Sequence, residues 1–378
     1  MRSAVHTPLV GLWSLFLVCA VPLAGCLGGV AADERSAHAG TPIPVKPHLV
    51  LNEWVSTDST GQFDYLYKPG SVALDEHGAI YVLDSMNHRV VVFSSAGEHL
   101  FTFGQSGHGP GEFRFGIDGG DDISLVENRI VTLEKQRGRI QVFDRQGAYI
   151  SSFAVPLAAT GMSANLSSIY ISVLPAAAGE PTIFEFDYSG NQTRALGSAH
   201  FSSHLRLFNN HCVAVDRRGL VLQAFLFFPL LRTFDLSGDA VEQWYDLSWW
   251  ENRDLALSYM SGRNSQQDFE SLGVGGAEAD RRLPNFGEIP QDLRLQSLIR
   301  DLEYLEKADL WLGLIFGGVV QAFSGDGTPL EAYLFESPDQ EHRTMARDFG
   351  ATPDGQALCI ADNVDSVVRC FRIANGWR

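Results

Sequence analysis

The sequence is poor in charge, in methionine and in cysteine: 19% of its 378 residues are charged, and Met and Cys number five each. Basic residues are fewer than acidic ones: the chain has 28 Lys and Arg against 45 Asp and Glu, which gives a formal net charge of −17. This excess of acid argues against nucleic-acid binding, because affinity for phosphates depends on Lys and Arg. The 45% of hydrophobic residues excludes a disordered chain.

Long hydrophobic runs are also scarce, and the one present covers residues 9–25, behind an amino-terminal segment that carries Arg2. It contains Pro22 and is shorter than the roughly 20 residues of a membrane-spanning helix, so it is typical of a signal peptide. The run ends in Leu-Ala-Gly-Cys at Cys26, which resembles the lipobox of bacterial lipoproteins. That resemblance implies cleavage before Cys26 and a diacylglycerol on its thiol. Ordinary cleavage after Ala32 is the alternative.

We therefore expect a lipoprotein signal peptide over 1–25 and a flexible tether, rich in Ala, Pro and Gly, over 26–47. Leu27 stands where bacterial lipoproteins retained in the inner membrane usually have aspartate. The resemblance thus implies a lipid anchor in the cell envelope, in the outer membrane rather than the inner one.

A repeat fills the remaining chain. Alternating apolar residues over 70–103, interrupted by Gly, Asp and Asn, are typical of four strands of an antiparallel meander. A Phe-x-x-x-Gly element marks each copy, and the last copy is weakened. The marking residues are Phe93, Phe143, Phe186, Phe234, Phe323 and Phe371.

Six four-stranded units predict an all-β fold, a six-bladed β-propeller over 48–378. The interval from Phe234 to Phe323 is about twice the others, and we interpret it as an insertion at about 247–291. The last unit has three strands before the chain stops. The apolar segment 49–55 is expected to supply its fourth strand and so to close the ring without an exposed edge.

The segment 69–93 resembles an NHL repeat, and 103–113 is similar to the inter-blade linker of bacterial six-bladed propeller lipoproteins with NHL-like repeats. The resemblance implies the TolB-like propeller architecture and a binding role, and it carries no single conserved chemistry. Glycines of the 104–111 stretch are not followed by Lys-Ser or Lys-Thr, so a turning connection is favoured over a phosphate loop.

Aligning the blades on Val72 places a set of polar side chains at the mouth of the central channel, where loops converge on a rigid frame. Converging oxygens would suit Ca²⁺ or another divalent metal. Propeller lactonases of similar layout hold a metal there, whereas lyases with NHL repeats use histidines, of which only one is at the mouth here. Water-bound or mutually paired channel residues are the alternative. The candidates are Asp118, Asp121, Asp122, Asn165, Asn210, His211, Asp301, Arg347 and Asp348.

Two further sets of residues indicate architecture. Asp84 and Arg89 flank one hairpin turn, and Glu134 and Arg139 have the same offsets in the next repeat, so we interpret them as register pairs rather than catalytic groups. Cys359 and Cys370 have the offsets of residues that face each other across a hairpin. We therefore expect either a disulfide between them or, as the alternative, a buried pair of reduced thiols.

The sequence thus predicts a membrane-anchored, extracytoplasmic propeller that binds a small-molecule ligand or a protein partner, without catalytic residues or a cofactor, and as a monomer. Neither nucleic acid nor the membrane, apart from the lipid anchor, is an expected partner. A divalent-metal-dependent hydrolase or lyase with its site at the channel mouth is the alternative.

Overall fold

The computed structural model describes residues 43–51, 55–56, 63–116, 121–177, 179–199, 209–226, 230–235, 237, 240–244, 299–315, 318–325, 329–335, 346–362, 365–373 and 377. Four short strands come first: β1 (Ile43–Val45), β2 (Leu49–Leu51), β3 (Val55–Ser56) and β4 (Phe63–Asp64). The last two pair with each other as an antiparallel ladder.

The next strands form successive four-stranded antiparallel sheets, numbered here as blades 1 to 6. Blades 1 to 3 consist of β5 (Pro69–Leu74), β6 (Ile80–Asp84), β7 (Arg89–Phe93) and β8 (His99–Phe103); β9 (Asp122–Val126), β10 (Arg129–Glu134), β11 (Arg139–Asp144) and β12 (Tyr149–Ala154); and β13 (Ala159–Ala164), β14 (Ile169–Val173), β15 (Ile183–Phe186) and β16 (Gln192–Leu196). Blades 4 to 6 consist of β17 (His211–Val215), β18 (Val221–Phe225), β19 (Leu230–Phe234) and β20 (Ala240–Trp244); β21 (Ile299–Leu305), β22 (Leu310–Ile315), β23 (Val319–Ser324) and β24 (Pro329–Phe335); and β25 (Ala346–Ala351), β26 (Ala357–Asp362) and β27 (Val367–Arg372), with β2 as the fourth strand.

The blades are arranged as a closed ring, because the first strand of each blade lies beside the first strand of the next, and β25 lies beside β5. Apolar side chains on both faces of each sheet are buried between neighbouring blades. In β7, for example, Val90 and Val92 pack toward blade 2, while Val91 and Phe93 pack toward blade 6. The core is therefore a set of interfaces between sheets, one for each pair of neighbours, as expected for a propeller.

The amino-terminal strand closes the ring as predicted. β2 pairs antiparallel with β27, with Leu49 opposite Cys370 and Leu51 opposite Val368. Leu51 is buried in the cluster between blades 6 and 1. Blade 6 therefore combines strands from both ends of the chain, and its outer edge is covered where it would otherwise be open.

β1 is an additional strand that the sequence did not indicate. It lies within the range 26–47 expected to be a tether, and it pairs parallel with β24, with Ile43 opposite Tyr333 and Val45 opposite Phe335. Pro44 has no N–H to donate, which suits a strand at the outside of a sheet. The last residues of that range, Ile43–Val45, are therefore part of the sheet of blade 5.

Other expectations fall outside the described residues: the signal peptide over 1–25, the lipid site Cys26 and the insertion at 247–291. β20 of blade 4 precedes residues 247–291 in the chain, and β21 of blade 5 follows them. Within the part of the chain that the structure describes, no helix is long and apolar enough to cross a membrane.

Candidate functional site

One end of the propeller in blades 1 and 2 is built from hairpin turns and from the linkers between blades. We call this surface the loop face. It consists of five segments: 65–68 before β5, 85–88 between β6 and β7, 105–116 between blades 1 and 2, 135–138 between β10 and β11, and 155–157 after β12.

A buried ion pair fixes the first of these segments. Arg89 Nε donates to Asp84 Oδ2 at 2.8 Å, and the two residues are opposite each other in β6 and β7. The other Asp84 oxygen accepts the Tyr67 N–H at 2.7 Å, and Arg89 Nη2 donates to the Tyr65 carbonyl at 3.2 Å. The pair thus holds the entering linker against the hairpin turn.

The same device recurs in blade 2. Arg139 Nε donates to Glu134 Oε1 at 2.5 Å, Glu134 Oε2 accepts the Arg114 N–H at 2.9 Å, and Arg139 Nη2 donates to the Glu112 carbonyl at 2.6 Å. Structural use of these pairs is what the repeat offsets predicted. Asp84 and Glu134 are fully buried, so loss of either arginine would leave a buried charge without compensation.

Hydrogen bonds from backbone N–H groups connect the loop-face segments of blade 1. Met86 N–H donates to the Tyr67 carbonyl at 3.1 Å, and Phe115 N–H donates to His88 Nδ1 at 3.2 Å. The turn between β6 and β7 therefore joins the linker before it to the linker after it.

Blade 2 continues this surface. Arg137 Nη1 donates to the Gly107 carbonyl at 3.4 Å, and Val155 N–H donates to the Gly138 carbonyl at 2.7 Å. Gly138 has φ +56°, and a Cβ there would lie 2.4 Å from the Val155 carbonyl oxygen. Only glycine allows the linker that carries Leu157 to approach so closely.

The second feature is the central channel, which contains a cavity of about 140 Å³. The first strands of the blades line it, and polar side chains project into it. Those that carry acid groups are Asp122 of β9, Asp301 and Glu303 of β21, and Asp348 of β25.

Two of these carboxylates join neighbouring blades. Asp122 Oδ2 accepts the Met162 N–H of blade 3 at 2.9 Å, and Asp348 Oδ1 accepts the Val72 N–H of blade 1 at 3.0 Å. Ser71 Oγ completes the link between blades 1 and 2 by accepting the Ile123 N–H at 3.1 Å.

The other two act between blades 5 and 6. Asp301 Oδ2 lies 3.4 Å from the Phe349 N–H, and Glu303 Oε2 accepts the Ala351 N–H at 2.7 Å. The channel acids therefore serve as acceptors for backbone donors of the next blade, which is one reason that a propeller tolerates them in its interior.

Burial dominates the electrostatics of the channel. It raises the pKa of the Asp301 carboxyl to about 7, and the negative charge of Asp122 adds to the effect. Burial and the charge of Asp301 also raise the pKa values of Glu303 and Asp348 well above their ordinary range. Lys135 opposes the shift at Asp301 without cancelling it.

Cationic side chains lie at the loop-face end of the channel. Arg300 and Arg347 are the second residues of β21 and β25, both are half-buried, and burial and the charge of Arg347 lower the pKa of Arg300 to about 9. Arg300 Nη1 donates to the Ala346 carbonyl at 3.3 Å. Lys135, at the turn of blade 2, exerts its charge on Asp122 and Asp301. The mouth is therefore basic above an acidic interior.

The structure brings Asp122, Asp301 and Asp348 of the predicted set together around the channel, with Arg347 at its mouth. Asp121 lies elsewhere: it is buried, and its oxygens accept the Gly116 N–H at 2.6 Å and the Lys135 N–H at 2.9 Å. Asp121 thus holds the loop face of blade 2.

Three other predicted residues do not line the channel cavity. His211 is buried, with Nδ1 2.8 Å from the Asn209 carbonyl oxygen and Nε2 3.1 Å from that of Thr182. Asn165 caps the turn between β13 and β14, at the opposite end of the blade, where its Oδ1 accepts two N–H groups. Asn210 directly precedes β17. Asp118 falls outside the described residues.

The residues present fit a catalytic metal poorly. The channel carboxylates direct oxygens at backbone N–H groups of different blades, and both ring nitrogens of His211 face carbonyl oxygens. Among the described residues, no group of three or more His, Cys, Asp or Glu side chains is placed to hold a metal ion. We therefore derive no step through a metal.

Glu303 and Lys135 are functional candidates that the sequence did not indicate. Glu303 is two residues beyond Asp301 in the same strand, so the alternation of a strand places both on the channel side. That signal was available in the sequence. Lys135 lies in the turn between β10 and β11, and its charge acts on Asp122 and Asp301. The sequence carries no signal for that proximity.

The comparisons with known proteins agree with the repeat. The NHL repeat model matches residues 66–93, which form the first three strands of blade 1 and the linker before them. No curated protein matches the chain. The strand topology and this match define the class: an all-β, six-bladed propeller that contains an NHL repeat.

Similar solved structures include a chain of the mitotic checkpoint complex, with a TM-score of 0.49 and 12% identity over 99% of both chains. Virginiamycin B lyase from Staphylococcus aureus has a TM-score of 0.44 and 9% identity, covering 86% of this chain and 88% of the lyase. Hsv2 from Kluyveromyces lactis has a TM-score of 0.40 and 11% identity, covering 77% of this chain and 70% of Hsv2.

Proposed function

We propose that this protein is a lipid-anchored, extracytoplasmic binding module whose propeller captures a ligand or protein partner through its loop face. The observation that carries the proposal is the construction of that face. Buried ion pairs hold its segments in place, while Tyr65, Tyr67 and Leu157 remain 51%, 40% and 74% exposed on it. Exposed apolar side chains on a rigid frame suit recognition, since little order is lost on binding.

A binding role is favoured over metal-dependent hydrolysis by the use that the channel makes of its acids. Asp122, Asp348 and Glu303 each direct one oxygen at a backbone N–H of the next blade, so these acids have a structural use in holding blades together. These hydrogen bonds are a sufficient reason for acidic side chains in the channel, so no catalytic role is needed to explain them.

The anchor is supported by the sequence Leu-Ala-Gly-Cys that ends at Cys26. Two or three acyl chains on that residue would hold the protein at a membrane, since each buried CH₂ contributes about 0.8 kcal/mol. We place the protein in a bacterial cell envelope, on the outer membrane because Leu27 follows the cysteine, and as a TolB-like propeller.

Membrane fractionation and intact-mass analysis test the anchor. The mature protein should begin at Cys26, carry a diacylglyceryl mass and sediment with membranes. The Cys26→Ser variant should be recovered in the soluble fraction. A mature terminus at Asp33, without lipid, would reject the anchor.

Photo-crosslinking in intact cells tests the binding face. A photoreactive residue at Gln136, in the exposed turn of the loop face, should give a discrete crosslinked product. The matched control is Gln146, which is equally an exposed glutamine of blade 2 but lies in the turn between β11 and β12, at the opposite end of the sheet. Crosslinks from Gln146 and none from Gln136 would place the binding surface elsewhere.

A further inference from the structure

The loop face carries the opposite charge to the molecule as a whole. Its five segments contain one carboxylate, Glu112, against four Lys and Arg side chains and two histidines, although the chain has a net charge of −17. The cationic and titratable side chains are Lys68, His88, His108, Arg114, Lys135 and Arg137.

The acids near these segments are engaged in hydrogen bonds or ion pairs. Glu112 is half-buried, and its Oε2 accepts the His108 N–H at 2.9 Å and the Gly109 N–H at 2.8 Å. The acids next to the loop face, Asp84 and Glu134, are buried against their own arginines. The net charge of the five segments is therefore positive.

Hydrogen bonds join the segments that carry the positive side chains. Arg114 Nη1 lies 3.0 Å from His108 Nε2, and the hydrogen bonds described above connect the turns of blades 1 and 2 to the linkers beside them. Tyr65 and Tyr67, with ring centroids 6.1 Å apart, lie in the linker before blade 1, and Leu157 lies after blade 2. Tyrosine and arginine are the residues most enriched at the centres of protein interfaces.

We propose that the loop face binds an acidic peptide segment of a protein partner, with its carboxylates on Arg114 and Arg137 and its apolar residues on Tyr65, Tyr67 and Leu157. This inference rests on the proposed binding function and specifies the chemistry of the partner.

An acidic segment fits this surface better than a larger polyanion. Charges separated by more than the Debye length, about 8 Å at physiological ionic strength, are largely screened, so a short segment experiences mainly the local basic surface. A membrane or a nucleic acid would extend onto the acidic body of the molecule and be repelled.

Fluorescence anisotropy tests the proposal with a short labelled peptide of Glu, Asp and Leu, and with its Gln, Asn and Leu counterpart as the uncharged control. The double variant Arg114→Ala/Arg137→Ala should bind the acidic peptide about tenfold more weakly than the unmodified chain, or about 1.4 kcal/mol. The matched variant Arg217→Ala/Arg218→Ala removes the same charge from exposed residues of the turn between β17 and β18, at the opposite end of blade 4. It should bind within about twofold of the unmodified chain.

Each other outcome counts against the proposal. Equal binding of the charged and uncharged peptides, equal loss in both double variants, or no binding would overturn it. So would tighter binding to phosphatidylglycerol vesicles or to a single-stranded oligonucleotide than to the peptide. Thermal melting of both variants shows whether either change acts through folding. If a residue at Gln136 crosslinks a partner but the acidic peptide does not bind, the loop face remains the binding face and its proposed preference for acidic peptides is wrong.

Discussion

Asp301 makes the channel sensitive to pH, because its carboxyl is buried and its pKa is raised to about 7 from an ordinary value of 3.8. Between these values the folded protein binds more protons than the unfolded chain, so stability falls as pH rises. We expect a higher melting temperature at pH 5 than at pH 8. Asp301→Asn, which keeps an oxygen for the Phe349 N–H, should raise the melting temperature at pH 8 by a few degrees and flatten the dependence.

Glu98→Gln is the control for this prediction, since it removes the charge of an exposed carboxylate in the turn between β7 and β8. It should leave the pH dependence of melting unchanged. Scanning calorimetry between pH 5 and 8 measures both variants. An Asp301→Asn curve parallel to that of the unmodified chain would contradict the assigned role of Asp301.

Arg89 tests the buried pairs that hold the loop face. Arg89→Met leaves the fully buried Asp84 without its cation and should lower the free energy of unfolding by about 3 kcal/mol. Arg217→Met, at an exposed arginine paired with Glu306, should lower it by less than about 1 kcal/mol. Urea denaturation measures the free energy of unfolding of both variants. Equal losses would show that burial of the Asp84–Arg89 pair does not increase the cost of removing its arginine.

At the scale of single strands, β2 carries the closure of the ring. A chain that begins at Lys46 lacks β1 and retains β2, whereas a chain that begins after residue 59 lacks both. Removal of β2 exposes the edge of β27 and the cluster around Leu51, so it should lower the melting temperature by roughly 10 °C or more.

Removal of β1 alone should have a much smaller effect on melting, because its three residues are partly or largely exposed. Circular dichroism measures the melting of both shortened chains. If the chain that begins after residue 59 melts at the same temperature as the full chain, closure of the ring by β2 is rejected.

The hairpin of β26 and β27 contains a cross-strand disulfide. Cys359 and Cys370 are opposite each other, as the offsets in the sequence indicated, and the structure joins their sulfurs. Closing a loop of this length stabilises by about 3 kcal/mol in the chain-entropy account. The double variant Cys359→Ser/Cys370→Ser should lose about that amount. Peptide mapping without reductant should recover the two residues linked, and their recovery as free thiols would contradict the pairing.

The strand architecture follows well from the sequence because each repeat carries its own punctuation. The blade 1 hairpin was predicted because its alternation extends over several residues and its turns contain Gly or Asn. The closing strand was predicted because the last repeat has only three strands, and the apolar segment 49–55 was free to supply the fourth. β1 escaped prediction since three residues with a central proline give too short a pattern, and its partner β24 is nearly 300 residues away.

At the scale of the whole molecule, alignment of the repeats could locate the channel but could not tell which side chains face it. Asp122, Asp301 and Asp348 were found because the first strand of each blade occupies the same place in the ring. His211 lies in such a strand too, yet its ring is directed at carbonyl groups of Asn209 and Thr182. An error of one residue in the alignment assigns a side chain to the wrong face of its strand. The sequences of these repeats are too divergent to define the alignment to a single residue.

The loop face depends on contacts that sequence patterns do not express. A net charge of −17 suggests a uniformly acidic surface. The fold instead buries Asp84, Glu134 and Asp121 beneath the loop face and leaves Arg114 exposed there. Charge is therefore separated by tertiary structure, which gives a molecule of net negative charge a loop face of net positive charge.

Hydroxyl-radical labelling tests most directly whether the loop face is the binding face. Oxidation is compared between the purified protein and intact cell envelopes at two sets of similarly exposed residues. Tyr65, Tyr67 and Leu157 lie on the loop face, and Leu100, Tyr149 and Ile150 lie on the outer strands β8 and β12. The first set should lose labelling in the envelope, whereas the second set should keep it. Equal labelling of the loop face in both preparations, or protection confined to the outer strands, would contradict this prediction.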